Sequence, residues 1–600
     1  MSPLAFTPPD PETPSSGAIP GLRGAPMRTP VRGAGAQAGP GLWPAIAGRV
    51  LTRQLWIELY GLPGYTQTLR GGRPTGFAST PRDFRPVDPA MGKSVLGGKF
   101  VLGGVSLEAA APEDPFDRPS PTRAFAVDLH AFAWLPSLMT QEERGAREAL
   151  RLTLAWYDVF RRWTPFAWDP DILARRGFNL ACAARRMGQV ATEAERLRLA
   201  DILARHGRQL LRPPGGVATL AERLVAAAVV GSALSGRPGA SIRRRALGRL
   251  SAALHRAVGD DGAHASRSPE AGLELLLDLL TLEDGLSQLS ETPPESVRRA
   301  IGRLSGALRL HVLPDGRLTT MQGGGPSTVE RVSAARVDEP ATDEAPGTLG
   351  GLVRIHSPLL TIIADAAPPA RAAWSGSACA QPIALEIVCG KDRLITGCGW
   401  TSRASERQGL RLPAGHSTLA LGETPPAEPL GGWKAELLGP RLIGRPLHVT
   451  ADRRDGEGAV WLEIEHDGWV HDLGLLHQRR LYLDQRLDEL RAEERLHPAS
   501  DARDTVRAIA APYAVRFQLE PGVQASLARD RRSILLRGHS GRGWWFRTDG
   551  PDVAIEPSVH VEDGLTRRSL QIVVRGSART DSETKIRWKL SPAGASGDPT

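Results

Sequence analysis

The chain has a single asparagine, Asn179, in 600 residues, and only six of its 75 basic residues are Lys. Both shortages read as codon bias rather than function. They leave no Lys-rich tract, and there is no zinc-finger spacing or RNP-like aromatic run, so only net charge points to nucleic acid. Cysteine is scarce too: Cys182, Cys379, Cys389 and Cys398 are the four present. Three of them fall close together, but none forms a CxxC pair. This excludes a fold built on disulfides and disfavours a metal site made of cysteine alone. No apolar run reaches the ~18 residues a transmembrane helix needs. The first 45 residues show neither the basic n-region nor the apolar h-region of a secretory signal. They hold ten prolines and seven glycines and are expected to form a disordered leader, residues 1–45.

What is present describes an ordinary globular chain, 41% apolar and 24% charged. Its length exceeds what one core supports, so at least two domains are expected. The net charge of +9 and the pI of about 9.8 favour an acidic partner. A uronate polysaccharide, nucleic acid and an anionic surface all fit that charge.

Helical periodicity dominates residues 122–312 in about eight segments with short connections, as in stacked helical hairpins. A first helix is expected from Leu42 to Tyr60. Residues 62–120 read as extended structure laid over the helices. The segment 316–348 lacks periodicity and reads as a linker. From 349 onward short β-prone runs alternate with turns, such as Cys389–Gly390–Lys391–Asp392. Leu481–Leu496 reads as an interruption of that pattern. The fold class expected is therefore α+β in two domains, helical over 46–315 and an antiparallel β-sandwich over 349–600.

One stretch carries chemistry on its surface: GDDGAHASRSPEAGLELLLDLL, residues 259–280. Ser268 suits an N-cap, Pro269 the first helical position and Glu270 the first turn. Leu273, Leu276, Leu277 and Leu280 form one apolar helix face. A loop bearing His264 and Arg267 is thus held at the mouth of a buried helix, although a plain inter-helix loop fits the same pattern.

Together with LPAGHSTLAL around His416, IEHDGWVHDLGLLHQRRLYL (464–483) and the run from Val523 to Val574, this stretch resembles the heparinase II/III family of polysaccharide lyases. The resemblance implies an incomplete α/α toroid followed by a β-sandwich. It also implies β-elimination on an acidic, uronic-acid-containing glycan. That reaction requires a base at the proton α to the carboxylate, and cationic or hydrogen-bonding groups on the carboxylate itself. On this basis His264 and His416 are the expected catalytic residues, and Arg267 and His477 the expected substrate-binding ones. His264 and Arg267 should face His416 across the interdomain cleft.

The carry-over is partial. Ala271 and Gly272 stand where relatives have a Tyr-His pair, and Cys379 stands where a His is expected. Gly397 falls near an acid that helps hold metal in some relatives, and Gln518 stands in a strand where relatives carry His. A divalent metal occurs in the family, but its ligands are not all here, so no metal and no other cofactor is expected. The alternative is a catalytically degenerate glycan-binding protein of the cell envelope. Each surviving residue also has a plain reading: His416 as a bridge between strands, His466 and Asp467 as part of a turn, His477 as an exposed basic edge. Trp544–Trp545–Phe546 reads as core with one exposed ring. The resemblance points to the periplasm or cell envelope, whereas the missing signal leaves the cytoplasm open.

Overall fold

The computed structural model describes residues 31–32, 42–213, 215–335, 348–400, 408–500, 509–562 and 565–594. Most of the expected leader lies outside the described residues. Within it, Val31–Arg32 forms an edge strand against His448 and Val449, and the helix Leu42–Gly61 begins.

Long helices then follow one another: Glu142–Phe160, Pro170–Val190, Glu193–Leu210, Leu220–Ala233, Gly236–Ala257, Pro269–Ser287 and Glu295–His311. Their starts are set locally. Asp169 accepts from the N–H groups of Asp171 and Ile172, with Pro170 at the first position. Thr192 and Glu195 form a reciprocal capping box. Ser268 accepts from Ala271 N–H, as its sequence predicts. Leu220–Ala233 is the most enclosed of these helices, with all but two of its fourteen residues buried. A helix apolar on nearly every side belongs inside a body, and the helices Pro170–Val190, Gly236–Ala257 and Pro269–Ser287 pack around it. We expect Thr192→Ala to lower stability by about 1 kcal/mol, read as a shift in denaturation midpoint with unchanged slope.

The arm ahead of these helices lies across them as expected. Thr80 N–H donates to Gln288 Oε1 at 2.9 Å and Arg82 N–H to Asp284 at 2.7 Å. Arg85 reaches Glu274 and Asp278, at 3.0 and 2.6 Å.

Two nine-stranded sheets make the second domain. One runs from the edge strand through His448–Gly456, Ala459–Trp469, Leu475–Asp484, Glu489–Pro498, Thr584–Pro592, Gly543–Thr548 and Ser533–Arg537 to Gln524–Leu527. The other runs from Asp552–Glu562 through Leu565–Arg579, Ala510–Leu519, Asp392–Thr396, Leu385–Cys389, Leu360–Asp365 and Leu352–His356 to Thr348–Leu349, with Leu419–Leu421 as its ninth strand, paired beside Ala510–Leu519. Neighbouring strands in both sheets pair antiparallel. Phe517 of the second sheet meets Phe546 and Trp588 of the first, ring centroids 4.8 Å apart in both pairs, in the core between the layers. The architecture is the α+β order expected, helices first and strands second.

Three expectations need correction. Leu481–Leu496 is not an interruption: it spans the facing strands Leu475–Asp484 and Glu489–Pro498. Its Arg and Glu residues pair across strands, as Arg479–Glu494 and Arg480–Glu493, and their spacing imitates helical charge pairs. His466 and Asp467 do not form a turn but lie in the strand Ala459–Trp469, where the register shifts after His466. The expected linker is packed over its first half. Residues 318–326 are buried, and Gly323, at φ +74°, lies so close to Ser377 O that a Cβ would sit 1.8 Å from it. Residues 336–347 of that linker lie outside the described residues.

A candidate active-site remnant in the seam between the domains

The helix-mouth loop 259–268 leads straight into the seam. Arg267 takes φ +62°, which turns its side chain out of the helical domain and into the sandwich. There its guanidinium is fully engaged. Nε donates to Gly350 O at 2.8 Å, and Nη1 to Ala367 O and Pro368 O at 3.0 and 2.8 Å. Nη2 meets Asp365 Oδ1 at 2.5 Å. Asp365 is fully buried at the end of an apolar strand, and its other oxygen accepts from Gln322 Nε2 at 2.5 Å and Gln381 Nε2 at 3.3 Å. The sequence expected Arg267 to hold a substrate carboxylate; instead it holds a protein carboxylate and three carbonyls. Its geometry is that of a bolt between domains.

His264 is buried, with Nδ1 2.7 Å from Ser266 Oγ and its ring edge-on to Trp374 at 5.6 Å. Nε2 has no hydrogen-bond partner and lies 3.7 Å from Glu222 Oε1. His416 is buried against the Gly397 backbone, where a Cβ would sit 3.1 Å from its Nδ1. Burial pushes His416 down to about 3, because no charged partner offsets the cost of protonating it there. Its Nε2 is also without a partner. His560 donates from Nδ1 to Gly397 O at 3.1 Å, so two histidines flank that glycine. Among the described residues, no hydrogen bond, ion pair or ring contact joins His264 or Arg267 to His416.

His477 lies elsewhere and is neither exposed nor at an edge. It is fully buried between the sheets, 2.9 Å from Glu494 Oε2 and 3.1 Å from His466 Nε2. Glu494 in turn accepts from Arg479 at 2.7 Å and from Trp588 at 3.0 Å. This is a closed polar network in the sandwich core, with no side open to a sugar. Trp544 and Phe546 are core, while Trp545 is half-buried and carries the Arg547 guanidinium 5.2 Å from its ring.

The seam is rich in buried polar atoms that lack a protein partner: His264 Nε2, Gln381 Oε1, Glu386 Oε2, Trp400 Nε1, His416 Nε2 and His560 Nε2. Apart from His264, they sit on segments that bond one another, through Thr418 Oγ1 to Pro382 O at 2.8 Å and Val561 N–H to Cys398 O at 2.7 Å. Buried polar groups are normally paired, so this density marks where a polar ligand would fit the fold. No phenol contributes. Tyr60 and Tyr65 stack on each other, Tyr157 faces Arg205, Tyr482 meets Trp461, and Tyr513 lies against Gly576. The residues at the seam do not fit a metal either. Gly397 presents no side chain, His560 is bonded to its carbonyl, and no group of three His, Cys, Asp or Glu is placed to hold an ion among the described residues.

Residues 339–589 match the family described as heparinase II/III-like, C-terminal. FtsZ-localized protein C of Caulobacter vibrioides (strain NA1000 / CB15N) is 44% identical over 560 residues, 92% of this chain and 96% of its own. The chain belongs to the heparinase II/III-like family. The fold agrees. The crystal structure of heparinase III superposes with a TM-score of 0.66 at 12% identity over 93% of both chains. The heparan sulfate lyase HepC from Pedobacter heparinus gives 0.54 at 14% identity, over 94% of this chain and 93% of its own.

Within this heparinase-like frame the sequence left several seam residues unnoticed. Asp365 closes an apolar strand, and an acid ending such a run is a legible sign of a buried partner. His560 was visible only inside a longer matching run. Gln322, Gln381, Glu386 and Trp374 gave no local signal.

Proposed function

We propose that this chain keeps the architecture of a polysaccharide lyase without its chemistry, and works as a binding component at the FtsZ division apparatus. The observation that carries the proposal is the engagement of Arg267. Elimination requires a free cationic or hydrogen-bonding group for the uronate carboxylate. Here the fork best suited to that task is occupied by Asp365 and three carbonyls. His416, one of the two expected bases, is depressed to about 3 and is a poor proton acceptor near neutral pH. Ala271 and Gly272 take the places of the family's Tyr-His pair. The name of the Caulobacter relative supports FtsZ as the partner, and a partner of that kind favours the cytoplasm over the periplasm.

A retained lyase acting on an acidic glycan is the second reading, favoured by the row of unpartnered polar atoms in the seam. The two separate cleanly. Incubated with a panel of uronic-acid polysaccharides, the purified chain should generate no ultraviolet absorbance from unsaturated uronate. In a sedimentation assay it should pellet with assembled FtsZ and stay in the supernatant without it. Product formation that His416→Gln abolishes would establish the lyase. Failure to pellet would remove FtsZ as the partner.

A further inference from the structure

The helical domain carries a concavity of about 850 Å³ between residues 68–72, residues 208–212 and the stretch 237–249 of the helix Gly236–Ala257. Six arginines line it, Arg70, Arg208, Arg212, Arg237, Arg245 and Arg249, and no acidic residue does. Three are held rigidly. Arg208 donates to Leu69 O at 2.9 Å and to Gly72 O at 2.7 Å. Arg212 donates to Thr68 Oγ1 and Thr68 O at 2.7 and 2.8 Å, with its guanidinium 5.3 Å from the Tyr65 ring. Arg249 donates to Leu211 O at 2.8 Å. All of these acceptors are neutral, so the contacts fix the guanidinium groups without cancelling their charge. The guanidinium groups of Arg70, Arg237 and Arg245 make no hydrogen bond or ion pair among the described residues.

The chain is shaped around this cluster. A Cβ at Gly71 would sit 3.0 Å from the Arg208 guanidinium carbon, so the backbone passes close against that group. Arg208 and Arg212 are half-buried at the base of the concavity, while Arg70, Arg237, Arg245 and Arg249 are exposed. Like charges gathered in a concave wall repel one another and focus a positive potential.

We infer that this concavity binds a small polyanion carrying phosphate groups. Arginine forks match phosphate oxygens in pairs, and fixed forks lose little entropy on binding. Six cations call for more than one negative charge, and the volume is that of an ordinary small-molecule site. With no carboxylate in the lining there is nothing to hold a bridging metal, so the phosphates would face arginine directly. Leu211, Pro238 and Ile242 form an apolar stretch of wall for the uncharged part of the ligand. The site is separate from the seam: its lining ends at Arg249, eight residues or about 12 Å of helix axis before the end of Gly236–Ala257, after which the seam's loop starts. The inference therefore stands whether or not the proposed function does.

The test is calorimetric titration of the full chain with tripolyphosphate at low ionic strength. One site per chain is expected. The triple variant R70Q/R237Q/R245Q, which breaks no described contact, should weaken binding at least about tenfold, the usual size of a lost charge-assisted bond. The variant R529Q/R531Q/R532Q removes the same charge from a sandwich loop and should leave binding intact. Vesicles of phosphatidylcholine with phosphatidylglycerol form a second arm. Competition with tripolyphosphate that the first variant abolishes assigns the phosphate to a lipid headgroup, and absence of competition assigns it to a soluble ligand. No tripolyphosphate binding, or equal loss in both triple variants, overturns the inference.

Discussion

Asp365→Ala should destabilise the protein by about 3–5 kcal/mol, the usual cost of removing one partner from a buried ion pair. Asp365 is fully buried and is the one acid facing Arg267, whose side chain is 11% exposed. Without it, the Arg267 charge stays in the seam with only carbonyl partners, and Gln322 and Gln381 each lose an acceptor. Arg267→Ala should cost a similar amount by stranding Asp365 instead. The double variant should cost less than the sum, because each single change already breaks the same pair. Arg267→Lys should not rescue, since one ammonium cannot reach Asp365 and three carbonyls along the directions the fork uses. Urea denaturation of the four proteins gives all of these numbers. Additive losses, or a change below about 1 kcal/mol for Asp365→Ala, would mean that the bolt does not hold the domains. If Arg267 were instead a substrate group in waiting, its removal would leave stability almost untouched.

This residue also shows where reading the sequence stops. Ser268, Pro269 and the leucine stripe were legible because caps and periodicity are local, and the helix begins where those residues place it. The partners of Arg267 lie 83 to 101 residues away, and no local pattern records them. An exposed-looking Arg beside a His was therefore read as a binding group when it is a structural one. His477 failed for a related reason. The run HQRRLYL looks like a charged edge, yet period-two alternation buries His477, Arg479 and Leu481 on one face, with Glu494 supplied from the next strand. The overall order of helices and strands was legible because it depends on periodicity summed over many residues. The state of the site was not, because it depends on which side chains the fold leaves free. The sequence also marks Ala271, Gly272, Cys379 and Gly397 as departures from the family pattern, and in the structure a Cβ at Gly397 would sit 3.1 Å from His416 Nδ1.

The protein should lose stability steeply in mild acid, starting at a pH where most carboxylates are still charged. Seven buried histidines set this, since burial lowers His206, His466, His477 and His560 as well as the three that follow. Burial, with Arg176 nearby, holds His130 down to about 4. Burial holds His311 down to about 4 and His416 to about 3. In the unfolded chain each would titrate near its ordinary value of 6.5. Above that value both states are neutral and the histidines contribute nothing that depends on pH. Below it the unfolded chain takes up protons that the native protein refuses, so stability falls with pH until the folded values are reached. Each such proton is worth about 1.4 kcal/mol per pH unit, so these three alone give about 4 kcal/mol per unit near pH 5, and the other four add to it. Glu494 does not share this window. Burial alone would raise it, but Arg479 and His477 outweigh that and hold it at about 2, so its contribution is lost only below its ordinary 4.5. Denaturation midpoints measured between about pH 7 and pH 5 should give the slope, and His311→Gln should remove the share of about one proton from it. A slope equivalent to less than one proton over that range would mean that these histidines are hydrated and titrate normally, and the buried seam around His416 would have to be abandoned with them.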